Sequence, residues 1–337
     1  MKNVLVTGGA GYIGSHTVVS LVEQGFYPVV VDDLRSSSSL ILEGLSTLVK
    51  DGYTFHREDV CDLDSMTRLF QEYRFDAVIH FAAYKSVGDS CEEPLKYYHN
   101  NLLGLINILG LCRDFCIPKF VFSSSCTVYG EPDEKQVYEH TPKRLPESPY
   151  GFTKWMGEQI IEDLHRNVVP FQTLCLRYFN PIGAHPSGMI GELPKGIPNN
   201  LLPYITQTAT GELSSLTIFG DDYPTPDGTC IRDYVHVCDV ADAHVQSLFF
   251  SDPNPLCFFN IGTGCGSSVL EMVRLFEQVS GKTLPYTIGK RRKGDITEIF
   301  ANVNASKNLL GWSAKRTVED AIRDAWNWEQ RRNKTHD

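Results

Sequence analysis

The sequence has no apolar run that approaches the roughly 18–20 residues needed to cross a bilayer, so we expect no contact with a membrane. It has no internal repeat and no low-complexity tract. Positive charge is also scarce, since 31 Lys and Arg residues stand against 41 Asp and Glu residues. The net charge of -10 argues against nucleic acid as a partner. A small phosphate-bearing ligand stays compatible, because local basic clusters decide whether it binds.

The ten cysteines include no Cys-x-x-Cys pair, and we expect no metal site. Cys112 and Cys116 are four residues apart in a helical stretch and are expected to be buried or half-buried thiols. Met1-Lys2 leads straight into a strand-like segment, without the features of a secretory signal. We therefore expect reduced cysteines and a cytoplasmic protein.

Strand-like and helical patterns alternate over the first 180 residues. The strand-like runs are short, apolar and rich in β-branched or aromatic residues, at 4–7, 27–32, 53–57, 76–82, 119–124 and 171–178. Helical patterns lie between them near 12–24, 38–50, 63–73, 92–114 and 149–167. This alternation predicts an α/β fold with a doubly wound parallel sheet of the Rossmann type. Its ligand should lie at the carboxyl ends of the strands.

The composition changes after Asn180. Many Pro and Gly residues between 181 and 235 indicate irregular loops around a few short elements. Later helices are predicted near 199–211, 239–251, 267–280 and 317–332. We therefore expect a first domain at 1–180 and a smaller, mixed α/β substrate domain at 181–337. Part of 234–262 is a candidate to pack back onto the first domain.

A glycine-rich turn, with Gly8, Gly11 and Gly14, separates the first strand from an amphipathic helix. In this context the glycines permit a tight turn and close approach of a pyrophosphate, to which the helix N-terminus offers free N–H groups. Asp32 ends the next strand, where a carboxylate binds ribose hydroxyls and repels a 2′-phosphate. NAD is therefore predicted rather than NADP. Arg35 is the counter-signal, because a nearby arginine can accept that phosphate.

Two further segments follow strands of the predicted sheet. Asp59 could reach the adenine edge, although a plain loop acid would look the same. Phe81-Ala82-Ala83 places small residues where a pyrophosphate or ribose would pass, and simple packing is the alternative.

Ser125 ends the fifth strand, and Tyr150 and Lys154 follow on a predicted helix. A spacing of four residues places Tyr150 and Lys154 on one helical face. A phenol with a pKa near ~10 is a poor base, but a nearby ammonium and the positive nicotinamide ring favour the phenolate. Tyr150 is thus the predicted base for a substrate hydroxyl that Ser125 holds in line.

Several motifs resemble the extended short-chain dehydrogenase/reductase family: Val-Thr-Gly-Gly-x-Gly-Tyr-Ile-Gly-Ser-His at 6–16, Ser-Ser-Ser-x-Thr-Val-Tyr-Gly at 123–130 and Ser-Pro-Tyr-Gly-x-x-Lys at 148–154. Within that family, the segments at 176–188, 196–201 and 227–236 are similar to those of UDP-glucose 4-epimerases. The resemblance covers essentially the whole chain. The departures are Ala83, where Gly is expected, and Cys126, where Ala is expected.

The resemblance implies which residues bind NAD and which bind the UDP-sugar. The implied NAD-binding residues are Gly8, Gly11, Tyr12, Ile13, Gly14, Asp32, Asp33, Asp59, Val60, Phe81, Ala82, Ala83, Lys85, Asn100, Ser123, Tyr150, Lys154 and Tyr178. The implied UDP-sugar-binding residues are Lys85, Ser125, Tyr150, Asn180, Asn200, Leu201, Thr217, Phe219, Arg232, Tyr234, Arg292, Asp295 and Ile299. Among these, the resemblance gives Arg232 and Arg292 the diphosphate, Phe219 the uracil and Asp295 the uridine ribose. Paired arginines suit phosphate recognition in an otherwise acidic protein.

The implied activity is interconversion of UDP-glucose and UDP-galactose. NAD would oxidise hexose C4, the 4-keto sugar would turn over, and hydride would return to its opposite face. The resemblance implies that the residue at 299 borders the hexose 2-position, where Ile299 would admit some UDP-N-acetylhexosamine. The alternative is that Ile299 is a packing residue that still blocks the acetamide. The resemblance also implies a homodimer through the helices near 92–114 and 149–167. Apolar residues beyond one core-facing stripe support it, namely Leu102, Leu103, Ile106 and Leu109.

Two other functions compete on the same fold. A sugar-nucleotide 4,6-dehydratase needs an additional acid–base pair, expected as Asp-Glu after the fifth strand, whereas Cys126-Thr127 follows Ser125. A catalytically inactive NAD-sensing protein would be expected to lack Ser125, Tyr150 or Lys154, and all three are present.

Overall fold

The computed structural model describes residues 2–166, 169, 171–292 and 295–334. In chain order its strands are β1 (Asn3–Thr7), β2 (Tyr27–Val31), β3 (Thr54–His56), β4 (Ala77–His80), β5 (Lys119–Ser125), β6 (Gln136–Val137), β7 (Gln172–Tyr178), β8 (Asn180–Ile182), β9 (Leu216–Phe219), β10 (Ile231–Arg232), β11 (Tyr234–His236), β12 (Leu256–Ile261), β13 (Ser267–Ser268), β14 (Tyr286–Gly289) and β15 (Glu298–Ala301). Its helices are α1 (Tyr12–Glu23), α2 (Ser39–Val49), α3 (Leu63–Glu72), α4 (Val87–Glu92), α5 (Pro94–Asp114), α6 (Pro149–Arg166), α7 (Leu201–Thr210), α8 (Val237–Ser247), α9 (Val269–Ser280), α10 (Asn304–Asn308) and α11 (Val318–Lys334).

Seven parallel strands form the main sheet in the order β12-β7-β5-β4-β1-β2-β3. The chain builds outward from β1 through β2 and β3, then returns to place β4 on the other side of β1. The reversal between β1 and β4 is where a doubly wound sheet binds its ligand. The doubly wound α/β fold predicted from the sequence is thus confirmed.

Both faces of this sheet are covered, so its strands are apolar on both sides. Within β1, Val4 and Val6 pack in one core cluster while Leu5 packs in the other, because successive strand side chains point to opposite faces. Helices α1, α2 and α8 cover the first face, and α3, α5 and α6 cover the second.

Local signals fix several helix boundaries. Asp62 caps α3 by accepting a hydrogen bond from the Ser65 N–H at 3.1 Å, and Ser268 with Glu271 forms a capping box on α9. Pro94 stands at the first position of α5, so the helix predicted near 92–114 begins there and the separate α4 precedes it. The six residues of α4 are too few to show a helical period in the sequence.

The remaining strands form smaller sheets beside the main one. One has the order β13-β10-β15-β6, and the pairs β11-β8 and β14-β9 complete the set. The main sheet and the smaller sheets are not built from two separate, continuous parts of the chain. β6 lies before Asn180 yet joins the small sheet, whereas α8 and β12 lie after it and complete the main sheet and its helical layer. Strand β12 was not predicted as a strand, although it lies in the segment 234–262 that was a candidate to pack back onto the first domain.

Among the residues that the structure describes, no helix is both long and apolar enough to cross a membrane. All ten cysteines are free thiols. Cys112 is buried as predicted, whereas the prediction for Cys116 is wrong, because Cys116 lies beyond the end of α5 and is exposed.

Candidate functional site

The turn between β1 and α1 is built for close approach of a ligand. Gly8 has a φ of +70°, and a Cβ added there would lie 2.7 Å from the backbone nitrogen of Ala82. A Cβ on Gly14 would collide with the backbone of Gly8. Helix α1 has no side-chain cap at Gly11, so its first N–H groups are free for an anion. The residues present therefore fit a dinucleotide pyrophosphate.

Asp32 lies directly after β2 and is buried beside this turn. Its carboxylate accepts hydrogen bonds from the Ala10 N–H at 3.1 Å and the Leu34 N–H at 2.9 Å. Burial raises the pKa of Asp32, and these hydrogen bonds oppose that rise. Asp32 is thereby fixed at the strand end where a ribose-binding carboxylate is expected.

The Arg35 guanidinium is engaged by two carboxylates. Its Nε lies 2.7 Å from Asp33 Oδ2, and its Nη2 lies 2.5 Å from Asp59 Oδ2. These contacts raise the pKa of Arg35. The cavity beside it, about 360 Å³, is lined by two arginines and four acids: Asp33, Arg35, Arg57, Glu58, Asp59 and Asp62. Arg35, the residue that would favour NADP, is therefore already paired with carboxylates.

The predicted catalytic residues meet where β5 ends and α6 begins. Ser125 is the last residue of β5, and Tyr150 and Lys154 occupy the first turns of α6. Lys154 Nζ donates a hydrogen bond to the carbonyl oxygen of Ser123 at 2.7 Å. The Ser123 and Tyr178 hydroxyls are hydrogen-bonded at 2.7 Å. All five residues are buried.

Burial governs the pKa values of Tyr150 and Lys154. Burial raises the pKa of Tyr150 well above its usual value of 10, and the nearby Ser125 hydroxyl opposes the rise. Burial also lowers the pKa of Lys154 to about 8. Lys154 Nζ donates to the strand backbone, and in the protein without cofactor the raised pKa keeps Tyr150 protonated.

Beneath these residues lies a buried ion pair that the sequence analysis missed. Glu158, one turn beyond Lys154, accepts a hydrogen bond from Ser124 Oγ at 2.6 Å and two from Arg177 at 2.8 Å each. Arg177 belongs to β7, so the pair joins α6 to two strands of the sheet. Tyr-x-x-x-Lys-x-x-x-Glu spacing was its only sequence signal.

The remaining implied cofactor residues lie around the same edge of the sheet. Tyr12 Oη donates to the Gly183 carbonyl at 2.6 Å, and Asn100 accepts a weak bond from Cys61 at 3.6 Å. Ile13, Phe81 and Ala83 are half-buried, Val60 is buried and Lys85 is exposed.

A second group of implied ligands gathers on the small sheets. Arg292 stacks over the Phe219 ring at 4.7 Å, and its Nε lies 3.0 Å from Asp295 Oδ2. Arg232 Nη2 lies 3.9 Å from Asp295 Oδ1. Both arginines oppose the rise that burial produces in the Tyr234 pKa. Two cations, an acid and an exposed aromatic ring thus converge, a set that suits a nucleoside diphosphate.

The other implied substrate residues border this group or connect it to the catalytic one. Asn180 pairs with Tyr234 between β8 and β11, and Ile299 pairs with Arg232 between β15 and β10. Ile299 is 2% exposed and packs among apolar residues. Thr217 lies on β9, two residues before Phe219, while Asn200 and Leu201 begin α7.

Two further side chains near the site gave no sequence signal. Asn101 Oδ1 accepts from the Tyr84 N–H at 2.8 Å, and its Nδ2 donates to Tyr84 O at 3.0 Å, which fixes the backbone before Lys85. Glu192 accepts a hydrogen bond from Lys85 at 2.6 Å. Within the described ranges, no cluster of His, Cys, Asp and Glu could hold a metal ion.

Known proteins are similar to this chain over nearly its whole length. A family profile described as GDP-mannose 4,6 dehydratase matches residues 5–325. The chain is 49% identical to the UDP-glucose 4-epimerase of Bacillus subtilis over 327 residues, which covers 97% of this chain and 96% of the relative.

Two solved structures are also similar. The UDP-glucose 4-epimerase of Stenotrophomonas maltophila, with bound NAD and formylated UDP-arabinopyranose, superposes with a TM-score of 0.96 at 46% identity, covering 99% of this chain and 100% of that one. The enzyme of Bifidobacterium longum, in complex with NAD+ and UDP, gives a TM-score of 0.95 at 42% identity, covering 98% and 99%. The chain belongs to the extended short-chain dehydrogenase/reductase family and, within it, to the UDP-glucose 4-epimerases.

Proposed function

We propose that this chain is an NAD-dependent enzyme that interconverts UDP-glucose and UDP-galactose. The observation that carries the proposal is the meeting of Ser125, Tyr150 and Lys154 at the sheet edge that also holds the dinucleotide turn. Family membership and the NAD and UDP bound to the structural relatives support the same activity.

The chain's own residues divide the work in this proposal. Bound NAD supplies the acceptor, and later the donor, of the hydride at hexose C4. Tyr150 takes the proton of the C4 hydroxyl and later returns it, while Ser125 holds that hydroxyl in line. Lys154 orients the strand edge through Ser123 and meets the cofactor ribose. Arg232 and Arg292 hold the diphosphate, so that the hexose alone is free to turn.

The dehydratase alternative has one observation in its favour, the description of the matching family profile. Elimination of water needs another acid–base pair beside Ser125. The next residues are Cys126 and Thr127, and burial raises the Cys126 pKa to about 12. A thiol held in its neutral form is a poor base, so this position does not supply the missing group.

Incubation of the purified protein with UDP-galactose, followed by NMR of the products, tests the proposal. UDP-glucose should accumulate until the two sugars reach equilibrium. A 4-keto-6-deoxy sugar would identify a dehydratase instead, and binding of NAD and UDP without any product would identify a sensor.

We further propose a cytoplasmic homodimer. Its support is the outer face of α5 and α6, where Ile106 is 50% exposed and Leu102 and Leu103 are half-buried. Phe152 and Trp155 stack at 5.5 Å on the neighbouring helix. Leu109, which the sequence analysis placed with this surface, is buried in the core and does not belong to it. Ten free cysteines are compatible with a reducing compartment.

A further inference from the structure

Glu192 lies in the irregular segment between β8 and α7, where no periodic pattern marked it. Its side chain is 9% exposed. Its carbonyl oxygen accepts a hydrogen bond from Trp328 Nε1 at 3.1 Å, which anchors this part of the segment to α11. The carboxylate is therefore presented from a fixed backbone rather than from a free loop.

One oxygen of this carboxylate serves two partners. Glu192 Oε1 accepts from Lys85 Nζ at 2.6 Å and from Asn200 Nδ2 at 2.7 Å. The Lys85 ammonium also lies 5.5 Å from the centre of the Tyr12 ring, beside the dinucleotide turn. Lys85 is an implied ligand of both the cofactor and the nucleotide sugar, and Asn200 is an implied ligand of the nucleotide sugar, so Glu192 contacts residues of both ligand sets.

The Asn200 side chain donates a hydrogen bond to Glu192 and does not cap α7. Asn200 stands at the N-cap position of α7, where an asparagine side chain ordinarily accepts a hydrogen bond from the helix. Here α7 has no side-chain cap. Pro203, at the third position of α7, has no N–H, which removes one of the two donors that a cap would bind, and Asn200 donates to Glu192 instead.

We propose that Glu192 is a positioning residue that orders Lys85 for the cofactor and Asn200 for the nucleotide sugar at the same time. The role rests on the proposed function, since it takes the ligands of both residues from there. Lys85 is 58% exposed, and a long side chain loses much rotamer freedom when a ligand immobilises it. Glu192 removes that loss before binding, and it likewise keeps Asn200 in the orientation that the ligand meets.

The test uses NAD-loaded protein, calorimetry with UDP as the probe, and the fraction of NAD retained through gel filtration. Glu192→Ala should weaken UDP binding about tenfold, equivalent to about 1.4 kcal/mol, and should also lower NAD retention. The turnover number at saturating UDP-galactose should stay within about threefold, because the carboxylate touches no reacting group. Glu192→Gln keeps an acceptor for Asn200 but lacks the charge that holds Lys85, so it should lower NAD retention more than UDP affinity.

Glu298→Ala is the matched control, because Glu298 makes a comparable ion pair with Lys135 at 2.6 Å. This substitution should change neither the affinity for UDP nor the retention of NAD. A Glu192→Ala protein that folds and retains wild-type affinity for either UDP or NAD overturns the proposal. If that variant does not fold, Glu192→Gln decides, and unchanged NAD retention there is the contrary result. These readouts are independent of turnover: wild-type protein that binds both ligands without epimerising UDP-galactose contradicts the proposed function and not the role of Glu192.

Discussion

Lys154 donates its hydrogen bond to the carbonyl oxygen of Ser123 at 2.7 Å, and Tyr150, one turn earlier on the same helix, lies near the Ser125 hydroxyl, which lowers its pKa. The lysine therefore fixes the end of β5 in place, and the base gains its environment from burial and from the serine. Cofactor charge, rather than Lys154 alone, must bring the Tyr150 pKa down before proton transfer.

Removal of the Tyr150 hydroxyl tests its role as the base. Tyr150→Phe should reduce the turnover number about 10²–10⁴-fold and leave NAD and UDP binding unchanged, because only the proton-transfer group is lost. Tyr53→Phe is a suitable control, since that hydroxyl contacts Ser46 away from the site. Near wild-type turnover of Tyr150→Phe, measured with UDP-galactose, would exclude Tyr150 as the base.

The buried Lys154 charge predicts a particular dependence of stability on pH. Its pKa is lowered to about 8 in the fold, against a value near ~10.4 in the unfolded chain. Between these values the unfolded chain holds a proton that the folded protein has lost, so the contribution of Lys154 to stability rises with pH across this window. Lys154→Met lacks this titration. The unfolding temperature of cofactor-free wild type, minus that of Lys154→Met, should therefore increase from about pH 8 towards pH 10. A difference that is flat or falls would contradict the buried charge.

Residues whose predicted role depends on the local backbone can be recognised in the sequence. Gly8 and Gly14 follow from the turn that they must form, and Tyr150 and Lys154 follow from the helical period. The main sheet followed likewise from the alternation of apolar strands and helices, although β12 was missed because a Pro/Gly-rich region separates it from the earlier strands.

Contacts between distant parts of the chain gave no such signal. Glu192 meets Lys85 across 107 residues, and nothing in the spacing of either residue records that contact. The pKa of Tyr150 could not be predicted from the sequence either, because the burial that raises it depends on segments that are distant along the chain. The position of Leu109 was misjudged for a related reason: both faces of α5 are apolar, and the core-facing one is decided by α3 and α6.

Cofactor choice should follow the carboxylates that surround Arg35. With four acids against two arginines in the adjoining cavity, a 2′-phosphate meets net negative charge, so NAD should bind more tightly than NADP. Asp33→Asn combined with Asp59→Asn releases Arg35 and should narrow the preference by about tenfold or more, equivalent to about 1.4 kcal/mol. Calorimetry on cofactor-free protein measures the affinities for NAD and NADP in the wild type and in the double variant. Tighter NADP binding by the wild type would reverse the assignment.

Assembly through α5 and α6 can be tested at the exposed Ile106 side chain. A glutamate there would be buried in a dimer interface without a partner, which is costly, but would face water in a monomer. Light scattering at micromolar concentration should therefore show a dimer for wild type and a monomer for Ile106→Glu. Leu309→Glu, at a leucine that is 66% exposed elsewhere, should leave the dimer intact. Monomeric wild-type protein would refute the proposed interface.

Substrate range should depend on Ile299. The residue is 2% exposed, packs with Phe179 and Tyr129, and is paired in register with Arg232, which places it beside the implied diphosphate ligands. Isoleucine lacks the ring and hydroxyl of a tyrosine, but it is stiff at χ1 and cannot swing away freely. We therefore expect turnover of UDP-N-acetylgalactosamine that is measurable and weaker than that of UDP-galactose.

Ile299→Tyr tests whether the size of this side chain limits turnover of UDP-N-acetylgalactosamine. The larger ring should abolish turnover of UDP-N-acetylgalactosamine and preserve most of that with UDP-galactose, since only the acetamide needs the space. Overpacking of the cluster could itself cost about 1–3 kcal/mol of stability, so the unfolding temperature is measured alongside both activities. A general loss of stability would lower turnover of both UDP-galactose and UDP-N-acetylgalactosamine. A steric limit at the hexose 2-position would lower only turnover of UDP-N-acetylgalactosamine. If the wild type turns over UDP-galactose robustly and UDP-N-acetylgalactosamine not at all, Ile299 still closes the pocket and the predicted range is wrong.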